Sequence, residues 1–311
     1  MTRVLFVDSM PKLRLGSSLL RSYQLCELAK AGLDASGIPS AVTSSFKHRN
    51  SILILNKNTL LNCTQEQLYK LRGAGNVLFG DPLDGKIDGN TLAACHVLLA
   101  SSRTQTEQLR ESYPEKRIAY VGHHVDLRIG NVTPSDDTLQ LAYFGDILNA
   151  AFAEQLEKEV SFIHVDTSQA DNVQWMKLLH QFNAHYALRE HHKADGLKPF
   201  TKGFIAAHCA CPVLIDIKDE EARRFLPEGY PYVVTRSSPD GVIEVTCRMR
   251  AGFGGPEWNE AMGFMRDLKQ ASSRAVVIEQ FREALAPELS DRQRKSFFPK
   301  LGSWLRRTVA L

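Results

Sequence analysis

The chain has 311 residues, 43% hydrophobic and 23% charged, which sets aside disorder over its bulk and leaves room for about two domains. Its 38 basic and 35 acidic residues give a net charge of +3, too small an excess for a nucleic-acid protein but compatible with a local phosphate site. The six cysteines form no CxxC pair, so they place no metal site and are expected to be free thiols of a reducing, cytoplasmic compartment.

The opening MTRVLFVDSM has too short an apolar run for a signal peptide, and no stretch of about 18 apolar residues is present to span a membrane. RVLFVDS (3–9) reads as a buried strand. The loop PKLRLGSS (11–18) leads into a helix over about 17–36, with Leu20, Leu25, Leu28 and Ala29 at helical spacing and Gly37 as its stop. SAVTSS and SILILN (51–56) are two further strands. TQEQLYKLRGAG (64–75) is a helix with Thr64 as N-cap and Gly73 or Gly75 as its end. NVLFGD (76–81), HVLLAS (96–101) and RIAYVG (117–122) continue the strands, with a helix in SRTQTEQLRESY between the last two. Strands alternating with helices imply right-handed crossovers and a parallel sheet, which binds ligands beyond its carboxyl edge. The residues just past the strands are therefore candidates: Asp8, Ser9, Asp81, Asp84, Ser101, Ser102, His123 and His124.

RIGNVTPSDDT (128–138) reads as a linker, and the pattern then restarts. LQLAYFG (139–145), SFIHVDT (161–167), AHYALR (184–189), CPVLIDI (211–217) and YPYVVT (230–235) are strands. Helices are expected in NAAFAEQLEKE (149–159), NVQWMKLLHQF (172–182) and KGFIAAHCA, and at about 256–270 and 272–287. The fold class is α/β, with two Rossmann-like domains, 1–130 and 136–290, facing a cleft. A tail, 291–311, mixes Arg and Lys with Phe297, Phe298, Leu301, Trp304 and Leu305. It suits either peripheral contact with an anionic membrane or packing back on a domain.

The segment ALREHHKADGLKPFTKGFIAAHCACPVLI (187–215) resembles the donor-binding region of GT-B-fold glycosyltransferases of group 1. The resemblance rests on a strand ending in Arg189, on Lys198-Pro199-Phe200-Thr201-Lys202 at a helix start, and on Pro212-Val213-Leu214. RVLFVDS with LGSS and a long helix resembles the family's first strand and acceptor-side loop. HVLLASSRTQTEQL, RIAYVGHHVDLR and LAYFGD resemble later strands of the two domains. The resemblance implies a hexosyltransferase-like enzyme that moves a sugar from a nucleotide sugar to a glycan, lipid-linked or other glycoconjugate acceptor. It implies polysaccharide biosynthesis, with no metal and no cofactor. Many retaining members carry two glutamates eight apart, the second seven before the Pro of the PV motif. Those positions here are Leu197 and Ile205.

Sugar transfer releases a diphosphate, and fixed cations and helix N-terminal amides stabilise the growing charge. Lys198, Thr201 and Lys202 at a helix start, and Arg189 at a strand end, suit that task. Gly145 permits close approach to the diphosphate, and His192, with His191, is placed in the donor loop. An inverting reaction needs a general base, for which Asp81 is the first candidate and acceptor-side Asp84 the second. The alternative for Asp81-Pro82 is a simple turn. His123, with His124, either touches the sugar or acts as base, or is an interface residue. Gly16, Ser17 and Ser18 either admit the acceptor or a phosphate close to the backbone, or Ser17 or Ser18 caps a helix. Two other functions remain: a catalytically inactive GT-B-like sugar- or partner-binding protein, and a nucleotide-sugar epimerase of the same fold. An NAD-dependent oxidoreductase is disfavoured, because no GxGxxG follows the first strand.

Overall fold

The computed structural model describes residues 2–13, 15–33, 37–135, 137–190 and 197–305, with side chains of the last helix described to residue 290. Short apolar runs form the strands of two parallel sheets. In the first half these are β1 Val4–Val7, β2 Ser40–Thr43, β3 Ile52–Leu55, β4 Val77–Gly80, β5 Val97–Ala100 and β6 Arg117–Tyr120, ordered β2-β1-β3-β4-β5-β6. Every residue of β1, β3 and β5 is buried. Runs buried on both faces need helices on both sides of the sheet. One face meets Leu68, Leu71, Leu92 and Leu109, and the other meets Leu25, Leu28 and Leu33. These come from α2 Leu25–Leu33, α4 Gln65–Gly73, α5 Gly89–Ala94 and α6 Arg103–Ser112. Thr64 caps α4 in a reciprocal pair with Gln67, and Gly75 follows at φ 77°. Between β3 and α4 lies α3 Lys57–Asn62, capped by Asn56.

The first long helix is not uniform. A single turn, α1 Gly16–Ser18, passes into a π-helical stretch, Leu19–Gln24, before α2. The wider π-turn buries the polar residues Arg21, Ser22 and Gln24.

The second sheet holds β7 Leu141–Gly145, β8 Ser161–His164, β9 Ala184–Tyr186, β10 Val213–Asp216 and β11 Val233–Val234, ordered β11-β10-β9-β7-β8. Its helices are α7 Thr201–His208, α8 Glu220–Phe225, α9 Pro239–Ala251 and α10 Pro256–Ala271. Three expectations are corrected. The helix expected over 149–159 is absent. Ala150 forms an antiparallel bridge with Arg189, the Ala151 amide donates to the Leu188 carbonyl, and Phe152 turns to φ 57°. Only one 3-10 turn, Glu154–Leu156, survives. The helix expected over 172–182 is a 3-10 helix, Gln174–Gln181. Of YPYVVT, only Val233–Val234 pairs as a strand.

The last helix, α11 Arg274–Leu305, leaves the second half and returns to the first. Val277, Phe281, Ala284 and Leu285 pack with Val4 and Phe6, and the Phe281 ring stacks on Phe6 with centroids 5.5 Å apart. The boundary at 290 therefore assigns to the second half residues whose apolar face completes the first core. Among the described residues no helix is long and apolar enough to cross a membrane.

Candidate functional site

The carboxyl edges of both sheets carry the polar residues past the strands. In the second half, β7, β9 and α7 converge. Lys202, in the first turn of α7, extends its ammonium to the Phe144 carbonyl at 3.0 Å and lies 4.1 Å over the Tyr143 ring. Gly145 makes room for it, since a Cβ there would stand 2.6 Å from Lys202 Nζ. Burial, followed by the charges of Arg189 and Lys198, pushes the Lys202 pKa down to about 7, with Asp146 opposing. Two of the cations expected from the sequence, Arg189 and Lys198, therefore both act on the third, Lys202. Arg189 lies 3.6 Å from Asp219. Thr201 opens α7, and the side chain of its N-cap residue, Phe200, makes no capping bond. The first turn of α8 is closed by its own Asp219, which accepts from the Ala222 amide. His192 lies outside the described residues.

Behind Lys202 a small cavity is lined by Phe144, His185, Tyr186, Lys202 and Ile205. His185 is buried, its ring 5.2 Å from that of Phe144, and burial together with Lys202 pushes its pKa down to about 3. Ile205, one of the two positions at which the resembling family carries glutamate, joins this apolar wall.

In the first half, Gly16 donates its amide to the Thr167 carbonyl of the second half at 2.8 Å, and a Cβ at Gly16 would meet that oxygen at 3.3 Å. The loop after β1 thus touches the loop after β8. Ser17 is half-buried and caps nothing. Its neighbour Ser18 accepts from Asn58 at 2.9 Å and from Asn56 at 3.2 Å.

Asp81 has no exposed surface, and its Oδ2 accepts from Arg21 Nε at 2.7 Å. Arg21 Nη1 donates onward to the carbonyls of Val121 and Gly122, at 2.9 and 3.1 Å. The expectation of Asp81 as a free carboxylate in the cleft is corrected: one oxygen is committed to a guanidinium, and neither is exposed. Asp84 pairs with Lys57 at 2.8 Å. His123 is 3% exposed and neither ring nitrogen has a partner. Burial, then Arg21, then His124 hold its pKa well below the ordinary value, so it is neutral. His124 Nε2 lies 3.1 Å from Gln24 Oε1, and burial, with Arg21, pushes its pKa down to about 3. Arg21 Nη2 and Asp81 Oδ1 are also unpartnered. Four unpaired buried atoms on Arg21, Asp81 and His123 contrast with the usual satisfaction of interior polar groups.

Two residues escape sequence reasoning. Arg21 stands inside a helical pattern, and its partner is 60 residues away. Glu221, in α8, is 2% exposed and accepts from the backbone of Arg103 and Thr104 in the other half. Neither has a local signal, since charged residues in a helix usually face solvent.

No family model matches the chain, and no curated protein matches it. Solved structures do. A glycosyltransferase from Rickettsia africae superposes with a TM-score of 0.62 at 9% identity, covering 93% of this chain and 98% of that one. HepE from Anabaena, in complex with UDP and glucose, gives 0.58 at 13% identity, covering 92% and 100%. The lipopolysaccharide outer core galactosyltransferase WaaB gives 0.58 at 12% identity, covering 93% and 100%.

Proposed function

The chain has the GT-B glycosyltransferase fold, and on that premise we propose that it transfers a sugar from a nucleotide-sugar donor to a glycan, lipid-linked or other glycoconjugate acceptor. The observation that carries the proposal is the meeting of Arg189, Lys198 and Lys202 at the start of α7, whose N-cap residue is the apolar Phe200, beside Gly145. The charges of Arg189 and Lys198 both disfavour a charged Lys202, and a diphosphate placed among them would offset that cost. A leaving diphosphate gains charge in the transition state, so the same groups favour departure over the ground state. On this reading the cations do the work of a metal, and the protein needs none.

The first half would supply the acceptor side. Gly16, whose amide meets Thr167 across the halves, and Ser17 open α1, and Asp84 lies on the loop after β4. His123, neutral and with both ring nitrogens unpartnered, suits contact with a sugar hydroxyl better than proton removal. Asp81 is reassigned to holding Arg21. The cytoplasm, at the inner face of a membrane, remains the proposed location, with the basic amphipathic tail as the contact.

A second reading is favoured by one observation. The cavity behind Lys202 is walled by Ile205 and aromatic rings where the family's glutamate would face the nucleotide ribose. A GT-B-like protein that binds a nucleotide or partner without turnover fits that wall. A thermal-shift screen against UDP-, GDP-, CMP- and dTDP-linked sugars, followed by donor hydrolysis with the best binder, separates the two. No shift with any of them would remove sugar transfer and nucleotide binding alike and leave only partner binding.

A further inference from the structure

We propose that Glu221 is a positioning residue that clasps the start of α6 across the interlobe gap, so that this contact between the halves and the placing of the cationic segment 197–202 are coupled. This rests on the anion-binding reading above for its purpose, though not for its geometry.

Both oxygens of the buried Glu221 carboxylate are used. Oε1 accepts from the Arg103 amide, and Oε2 from the Thr104 amide and hydroxyl, each at 2.9 Å. The first amides of a helix have no partner within it, so a carboxylate placed there gains charge-assisted bonds and a favourable helix dipole. The residue before these amides, Ser102, donates its hydroxyl to the Leu197 carbonyl at 2.8 Å. Leu197 is the neighbour of Lys198. In the turn that carries Glu221, Asp219 meets Arg189 at 3.6 Å. The start of α6 therefore reaches one side of the cation cluster through Leu197, and the start of α8 reaches the other through Arg189. Around this clasp the Arg103 guanidinium lies 5.0 Å from the Phe225 ring centroid, and Arg224 pairs with Glu107. The exposed Arg224–Glu107 pair contributes little by itself. The buried, triply bonded carboxylate is the part whose loss opens the contact.

Amide hydrogen exchange on the full chain tests this without any substrate. The reporters are Arg103 and Thr104 at the clasp, Thr201 and Phe204 at the start of α7, and Ile54 and Ala142 in the two sheets. Glu221→Gln should speed exchange roughly tenfold at the clasp and at Thr201 and Phe204, the ratio that about 1.4 kcal/mol of local opening gives, and leave Ile54 and Ala142 unchanged. Ser102→Ala should speed Thr201 and Phe204. Faster exchange confined to Arg103 and Thr104, with Thr201 and Phe204 unmoved in both variants, would overturn the coupling. Should Glu221→Gln also speed the sheet reporters, Ser102→Ala and Thr104→Val decide the matter in its place. Inorganic pyrophosphate titrated into the wild type keeps the two ideas apart. Its failure to bind removes the anion site and leaves the exchange result to judge the clasp.

Discussion

Replacing Asp81 with Asn asks whether this residue holds the fold or performs chemistry. The wild-type carboxylate has no exposed surface and meets Arg21 Nε at 2.7 Å, while Arg21 side-chain exposure is 2%. Asn keeps the shape and removes the charge, which leaves a guanidinium buried without its counter-ion. Breaking one side of a buried pair costs about 3–5 kcal/mol. That is a large share of the roughly 5–15 kcal/mol by which domains are stable. The same guanidinium holds the Val121 and Gly122 carbonyls, so the loss should reach the end of β6 and the crossing helix α11, whose Gln280 accepts from the Gly122 amide at 2.9 Å. The assay is urea unfolding followed by fluorescence and circular dichroism. A fall in midpoint at unchanged slope is expected for the first domain. Removing both charges, Arg21→Leu with Asp81→Leu, should recover part of the loss, because the pair is costly to bury. A loss of stability under about 1 kcal/mol in Asp81→Asn, with transfer activity abolished and the fold intact, would refute this reasoning and return Asp81 to the chemistry.

Lys198→Ala and Lys202→Met should each weaken binding of a nucleoside diphosphate by about 1–3 kcal/mol in calorimetric titration, the worth of a charge-assisted contact. Gly145→Ala should cost about 1–3 kcal/mol of stability, because the new Cβ would meet the hydroxyl and Cζ of the buried Tyr143 ring as well as Lys202 Nζ, and should lower anion affinity by displacing that ammonium. Binding should also take up protons. Lys202, among Arg189, Lys198, His185 and Asp146, titrates near 7 instead of 10.5, so above pH 7 it is largely neutral until an anion arrives. Affinity should therefore fall as pH rises from 7 towards 9, and titrations in two buffers of different ionisation heat should show the uptake vanish in Lys202→Met. For folding the sign is opposite. The unfolded chain binds the extra proton between pH 7 and 10.5, so the penalty is fully present below pH 7 and is relieved as pH rises through that window.

The residues that formed strands announced themselves locally. VLFV, ILIL and VLLA are uninterrupted apolar runs that only a doubly covered sheet accommodates, and Thr64 with Gln67 marks a helix start through its own hydrogen bonds. The Ser238-Pro239-Asp240 start of α9 carries an equally local signal, with the Ser238 hydroxyl accepting from the Gly241 amide, although no helix stands among the expectations for that segment. By the same local rules, AAFAEQLEKE is a good helix, and there tertiary pairing overrode propensity when Ala150 met Arg189. The cation cluster was legible because its members lie within fourteen residues of one another around one strand–loop–helix turn.

The sequence by itself determined the alternation of strands and helices and the placing of phosphate-binding residue types at strand ends. These depend on neighbours within one turn or one strand. Only the tertiary structure decided that Arg21 would neutralise Asp81 from 60 residues away, that Glu221 would reach α6 from 118 residues beyond Arg103, and that α11 would return to cover Phe6. Charge and apolarity tell a side chain that it needs a partner. The order in which the strands stack and the path the chain takes between two lobes choose which partner it meets.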